Sequence, residues 1–224
     1  LPHSSEDTWL NRFHRNMCFR LLDDFILLNE IQKKTFIETY RMGAKRVVLS
    51  HLSAYTNLQH IKPQKPDVSN YILFFGGISS HKGIEYLCEA MEKVCKKHPD
   101  VKLVVAGKGK IYFDINQYAI YRNGHLVLLN RYLDDTELVG LIHSSLFVVC
   151  PYVDATQSGV IMSAYALNKP VIATNVGALP TMVKNGQYGT IVPPKDVATL
   201  ASAINTLIEN PQKIEAMMAN IEHD

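Results

Sequence analysis

No apolar run in this sequence exceeds the length of a strand. The longest, Tyr71–Phe75, Leu126–Leu129 and Leu146–Cys150, fall far short of the ~20 residues that cross a bilayer, so no transmembrane segment is expected. A secretory leader is not expected either: the chain as read opens Leu1-Pro2-His3-Ser4-Ser5-Glu6-Asp7, with neither a basic region nor an apolar stretch. It does not open with Met and reads as a fragment or a trimmed chain. Charge of one sign is scarce. With 23 Lys+Arg against 21 Asp+Glu the formal net charge is +2, too little to argue for a nucleic-acid partner, and no long basic run breaks the mixture. Cysteine is sparse: Cys18, Cys88, Cys95 and Cys150 form no C-x-x-C pair and share no metal-ligand spacing with the histidines. They read as small buried hydrophobes of a reducing compartment, which points to the cytoplasm. Repeats and low-complexity segments are absent too. What the chain does have is 47% hydrophobic residues, enough for a real core and too many for wholesale disorder. Its 224 residues make about one and a half domains on a prior of ~150 residues each.

From Tyr71 onward short apolar runs alternate with helical patterns. The runs are Tyr71–Phe75, Lys102–Ala106, Leu126–Leu129, Phe147–Cys150, Val171–Thr174 and Thr190–Val192. Between and after them the spacing predicts helices over Ile84–Lys97, Asp134–His143, Val160–Leu167, Ala198–Ile208 and Gln212 to about Ile221. Strands that are apolar throughout, alternating with helices, imply a doubly wound parallel sheet covered on both faces, a Rossmann-like α/β domain. The first 60 or so residues differ. Helices over Thr8–Leu22 and Glu30–Arg41 and strands over Asp24–Leu28 and Arg46–Leu49 are too few for a self-sufficient sheet, and His60–Pro66 is a Pro- and Lys-rich linker. The expected organisation is a partial second α/β domain over residues 1–61 and a complete one over 62–224.

In such sheets ligands bind outside the carboxyl ends of the strands, where strand order reverses. With the order 3-2-1-4-5-6, that point lies between the strands at Tyr71–Phe75 and Phe147–Cys150. The loop after the first, Gly76-Gly77-Ile78-Ser79-Ser80-His81-Lys82-Gly83, offers two glycines, two hydroxyls and a lysine expected in the first turn of the next helix. A cation there opposes the helix dipole unless an anion sits between them. The spacing is not that of a Walker loop, so this is a phosphate loop of another kind or an ordinary turn. The loop after the second strand carries Asp154, Thr156, Gln157, Ser158, Gly159 and Val160 at a helix start. Its hydroxyls and free amides suit an anion, and equally suit plain N-capping by Thr156 or Ser158. A diphosphate between the two loops explains both. Gly107 in the Gly107–Lys110 turn contacts a ligand or simply turns the chain. Arg131 and Tyr132 hold a nucleobase or form a structural turn, and Asn175–Pro180 reads mainly as a glycine turn entering a helix. His81, His125 and His143 have no evident partners. No spacing suggests a catalytic triad, a carboxylate pair or a metal site.

Taken together these residues resemble the donor-binding half of a GT-B fold glycosyltransferase, close to glycosyltransferase family four. The similarity runs over about Tyr71–Asp224. It rests on Phe74-Phe75-Gly76-Gly77-Ile78 with Lys82-Gly83-Ile84-Glu85-Tyr86-Leu87, on Leu103–Gly109, on Pro151–Val160 with Ala164-Tyr165-Ala166 and Lys169–Thr174, and on Val176–Pro180 with Asn185–Gly189. Leu1–Ser53 resembles, more weakly, the end of the acceptor-side domain. The resemblance implies transfer of a sugar from a UDP- or GDP-linked donor to an acceptor hydroxyl, with retention, no required metal and no cofactor beyond the donor. The acceptor would be a saccharide or glycolipid in polysaccharide or glycolipid assembly, with peripheral membrane contact left open. Lys82 would neutralise the leaving diphosphate, Gly76, Gly77, Ser158, Gly159 and Val160 would line the phosphates, and Arg131 and Tyr132 would lie near the base. The sequence departs from the family in two ways. An arginine usual just before the hydroxyl-rich loop is Gly77 here, and the usual E-x7-E glutamates fall at Ala155 and Ser163, although Gln157-Ser158-Gly159 resembles a variant loop of some members. A non-catalytic nucleotide-sugar-binding module is therefore the alternative reading, and a sugar-nucleotide epimerase of the same architecture a third.

Overall fold

The computed structural model of the chain describes residues 8–40, 46–50 and 52–223. Thr8 caps the first helix, α1 (Trp9–Leu21), its Oγ1 accepting from the Asn11 amide. Then follow β1 (Asp24–Leu27), α2 (Glu30–Tyr40) and β2 (Arg46–Leu49). The expected helix end at Arg41 lies outside the described residues. β1 and β2 pair in parallel. Their inner face is held by an aromatic cluster in which Phe19 meets Phe25, Phe36 and Tyr40 edge-on. Cys18, expected inside, is exposed on α1.

After a 3₁₀ turn (Thr56–His60) the second unit begins with β3 (Tyr71–Phe75), α3 (Ile84–Lys97) and β4 (Lys102–Ala106). It continues with α4 (Ala119–Arg122), β5 (Leu126–Leu129), α5 (Asp135–Ser144), β6 (Val148–Cys150), α6 (Gly159–Ala166) and β7 (Val171–Thr174). It closes with α7 (Leu179–Val183), β8 (Gly189–Val192), α8 (Val197–Glu209) and α9 (Pro211–Glu222). The six strands β3–β8 form one sheet in the order β5-β4-β3-β6-β7-β8, with every pair parallel. This is the doubly wound order expected, and it places the reversal between β3 and β6. Helices cover both faces, so β3 is buried along its whole length. Each such Leu, Ile or Phe contributes about 1.5–3 kcal/mol. The apolar stripe of α3 (Leu87, Met91, Val94) faces inward. The buried Tyr71 phenol donates to the Leu141 carbonyl at 2.7 Å, fastening β3 to α5, and burial raises its pKa to about 12.

Element ends agree with the sequence to within a residue or so. α5 starts one residue late because Asp134 is its cap, in a reciprocal box with Glu137. The short α4 and the 3₁₀ turns have no sequence counterpart, since three to five residues carry no periodicity. The Pro/Lys-rich linker is strapped down: the Gln64 amide donates to the Thr136 carbonyl at 3.0 Å, and Gly140 of α5 leaves room for the Gln64 carbonyl, which a Cβ there would meet at 1.8 Å.

Gly107 shows how tightly the strand-end turns are layered. It sits at φ +143°, and a Cβ on it would stand 2.0 Å from the Gly76 carbonyl oxygen. A Cβ on Gly77 would meet nothing within 4 Å. Gly107→Ala is therefore expected to destabilise the domain by roughly 1–3 kcal/mol and Gly77→Ala to change it by less than about 0.5 kcal/mol. Urea unfolding of both variants checks the contrast.

Candidate functional site

The segments after β3 and β6 lie directly against each other. After Gly76 (φ +111°) the chain passes Ile78 and Ser79 into a 3₁₀ turn, Ser80–Lys82, and Gly83 then takes the left-handed conformation before α3 starts at Ile84. A Cβ on Gly83 would strike the Pro151 carbonyl oxygen at 2.2 Å. Across the same seam the Val153 and Asp154 amides donate to the His81 carbonyl at 2.9 and 3.3 Å, and the Val160 side chain closes on Gly76. Lys82 thus ends a turn outside the helix, whereas the sequence placed it in the first helical turn; the left-handed Gly83 is the reason. Its ammonium lies 3.8 Å from the centre of the Tyr152 ring. Burial holds the Lys82 pKa below its ordinary value, with Cys150 acting in the opposite direction. Among the described residues it has no carboxylate partner.

Two helix starts face this region and differ in what they offer. At α3 the Ile84 amide donates to the Tyr112 hydroxyl at 3.0 Å. That hydroxyl donates in turn to Glu85 at 2.5 Å, so a carboxylate already answers this end of the dipole. At α6 the buried Ser158 is the cap. Its Oγ accepts from the Ile161 amide at 3.4 Å and shares a 3.3 Å hydrogen bond with the Tyr152 hydroxyl. Of the two readings open for Ser158, its hydroxyl therefore serves capping. Among the described residues no protein acceptor meets the Gly159 and Val160 amides. The first amides of α6 are thus left open to an acceptor from outside the protein, while the first amide of α3 is already met by Tyr112.

The other candidates fall in several places. Thr156 and Gln157 are half-buried on the segment leading into α6, and Asp154 is exposed beside them. The Thr156 carbonyl accepts from the Ala178 amide at 3.2 Å. Gly107 serves packing, since the Gly107–Gly109 turn lies on the Gly76–Ile78 segment, with the Ile78 amide donating to the Lys108 carbonyl at 3.2 Å. Arg131 serves its own turn. Its guanidinium makes two bonds to Glu137, at 2.6 and 2.8 Å, and a third to the Tyr132 carbonyl at 3.1 Å. Three of its donors are thereby committed within that turn and α5, which fits the structural one of the two readings the sequence left open. The Tyr132 side chain stays in the open, 78% exposed. Ala155 is walled in, its carbonyl 1.9 Å from where a Cβ on Gly177 would stand. The Ser163 hydroxyl donates back to the Gly159 carbonyl at 3.0 Å.

Three aromatic residues escaped the sequence reading. Tyr112 caps α3, Tyr152 supports Lys82, and Tyr55, carried in from the first unit, lies over Gly159, where a Cβ would meet its hydroxyl at 3.1 Å. Asn130, read from the sequence with Arg131 and Tyr132 as a nucleobase segment or a structural turn, exchanges two 3.1 Å bonds with the Gly109 backbone and ties the turns after β4 and β5 together. A cleft of about 820 Å³ opens beyond Gln157 between the first unit (Asn29, Leu49) and α6–α7 (Met162, Tyr165, Met182). Among the described residues no three His, Cys, Asp or Glu side chains group to hold a metal ion, and no helix is long and apolar enough to cross a membrane.

The chain is similar to several known proteins. A glycogen synthase of Mycobacterium tuberculosis is 30% identical over 141 residues, which are 62% of this chain and 34% of the relative. An uncharacterized glycosyltransferase of Methanocaldococcus jannaschii is 31% identical over 160 residues, 70% of this chain and 40% of the relative. The chain thus spans less than half the length of these curated relatives. Among solved structures, Anabaena HepE in complex with UDP-glucose superposes with a TM-score of 0.78 at 21% identity, covering 99% of this chain and 64% of that one. The sucrose-phosphate synthase of Thermosynechococcus elongatus gives 0.77 at 20% identity, covering 99% and 58%. These two show the fold, the GT-B architecture. The profile of the family described as "Glycosyl transferases group 1" matches residues 69–210, the span that holds β3 through α8 and both strand-end segments, and the chain belongs to that family.

Proposed function

We propose that this chain is the donor-binding portion of a glycosyltransferase that moves a sugar from a UDP- or GDP-linked donor to an acceptor hydroxyl. Residues 62–224 form the donor domain and residues 1–61 are part of an acceptor-side α/β domain. The observation that carries this reading is the seam between β3 and β6, where the Lys82 ammonium and the unpaired Gly159 and Val160 amides sit on facing segments. A diphosphate there meets one full positive charge and the positive end of a helix dipole. Gly76 and Gly77 let the backbone approach it, and Gln157, with Thr156 before it in the chain, lies on the way in from the wide cleft. Asp154, at the mouth, faces the sugar, and the exposed Tyr132 ring remains for the base.

In the transfer step the bond from the anomeric carbon to the diphosphate oxygen breaks and a bond to the acceptor oxygen forms on the same face. The acceptor proton leaves on the diphosphate. Charge that develops on the leaving oxygen is met by Lys82 and the α6 amides, and donors placed in advance where charge develops lower a barrier strongly. On this reading no metal and no cofactor beyond the donor is needed, and the enzyme works in the cytoplasm on a saccharide or glycolipid of a surface polymer. The second reading, nucleotide-sugar binding without transfer, is favoured by Ala155 and Ser163, neither of which brings a carboxylate to the site. Sugar transfer by a protein that joins this domain to a complete acceptor-side domain, abolished by Lys82→Ala, sustains the first reading; intact donor binding with no turnover sustains the second.

Binding itself gives sharper expectations. Lys82→Met removes a charge-assisted contact of about 1.5–3 kcal/mol, so calorimetry with UDP and GDP is expected to show the better ligand weakened roughly 10- to 100-fold. An unchanged dissociation constant removes Lys82 from the site. The anion requires the protonated amine, and burial depresses its pKa. Affinity is therefore expected to fall as pH rises through a midpoint below that of an ordinary lysine, a limb missing from Lys82→Met. Chelation with excess EDTA is expected to leave the wild-type dissociation constant within about twofold; a larger loss contradicts the metal-free account.

A further inference from the structure

We propose that Tyr152 is the positioning residue for Lys82: its ring face holds the ammonium toward the diphosphate site without neutralising it, an inference that rests on the donor-site reading above. The ring itself is fixed on two sides. Tyr152 is fully buried, its hydroxyl bonds Ser158 Oγ at 3.3 Å, and its carbonyl accepts from Thr174 Oγ1 at 2.6 Å. Ser158 caps the very helix whose first amides are free. One side chain therefore spans from the lysine to the α6 start and sets the distance between the two positive elements of the site.

A ring suits this task better than a carboxylate. An Asp or Glu beside Lys82 would hold the ammonium more strongly, but it would cancel the charge and would have to be displaced by each incoming diphosphate. The π face attracts a cation within about 6 Å while carrying no net charge, so the full positive charge stays available to the ligand. The geometry also answers Gly77. Where two cations share a diphosphate, each can be loosely placed; a single lysine has to be aimed. The space beside Gly77 is open, and among the described residues no carboxylate pairs with Lys82.

The test is a double-mutant cycle on UDP binding with the full chain, joined to an NMR signature of the unliganded protein. In the wild type the Lys82 Hε protons are expected upfield of ordinary lysine values through the Tyr152 ring current, and absence of that shift overturns the proposal with no variant needed. Tyr152→Leu is expected to abolish the shift and weaken UDP by about five- to tenfold. Tyr152→Phe, which keeps the ring and loses the hydroxyl's bonds to Ser158 and Cys150, is expected to keep the shift and bind within about threefold. In the Lys82→Met background Tyr152→Leu is expected to cost nothing further. An equal loss from Tyr152→Leu in both backgrounds, or a loss from Phe as large as from Leu, makes Tyr152 merely structural and overturns the proposal. If the wild type binds neither UDP nor GDP, or Lys82→Met binds as the wild type does, the donor-site reading itself fails and takes this inference with it.

Discussion

The site depends on one packing constraint, the contact between the turn at residues 80–83 and the segment at 151–154. Two amides of the second segment reach one carbonyl of the first, and Gly83 is a glycine because the Pro151 carbonyl occupies the space of its Cβ. The contact exists because the sheet reverses its order between β3 and β6, so that consecutive crossovers leave toward opposite faces and their entry turns are left side by side. Everything proposed for the chemistry, from the placement of Lys82 to the exposure of the α6 amides, follows from that seam holding its shape. The turns after β4 and β5 reinforce it from one side through Gly107, Gly109 and Asn130.

Charge at the seam is arranged by subtraction as much as by supply. The start of α3 is satisfied by Tyr112 and Glu85, and Arg131 is drawn into a pair with Glu137. Among the described residues, what is left uncompensated at the seam is small and local: one lysine and the first amides of α6. That is consistent with a chain whose formal charge is only +2. Recognition of a diphosphate needs a few fixed donors in a partly dry place, where each interaction is stronger than in water, and a broad basic surface would add nothing to it.

The strands were legible in the sequence because a parallel sheet buried on both faces demands unbroken apolar runs, and Tyr71–Phe75 or Val171–Thr174 admit no other reading. The usual doubly wound order, which the sheet has, then pointed to the candidate site before any side chain was placed. Legibility failed where the determining fact was a single backbone conformation or a distant partner. Gly83 looks like any residue after a lysine, yet its left-handed φ moves Lys82 out of the helix. Arg131 and Glu137 are six apart, a spacing with no local rule to pair them. Tyr55 and Tyr112 meet α6 and α3 only through the tertiary fold, and Tyr152, inside the very segment that drew attention, shows its role only through the Lys82 ammonium on its ring. Ser158 was readable as a cap or as a ligand group, and its bonds to the Ile161 amide and the Tyr152 hydroxyl appear only in the fold.

The central claim is that a nucleoside diphosphate lies between the Lys82 ammonium and the start of α6. Amide chemical shifts of the isotope-labelled chain titrated with UDP and with GDP test this most directly. The account predicts that one nucleotide moves the Gly159 and Val160 amide resonances most, downfield as they acquire a phosphate acceptor, together with the Lys82 side-chain signals. Shifts confined instead to the pocket at Leu129, Arg131 and Leu133, with Gly159 and Val160 unmoved by either nucleotide, would contradict it.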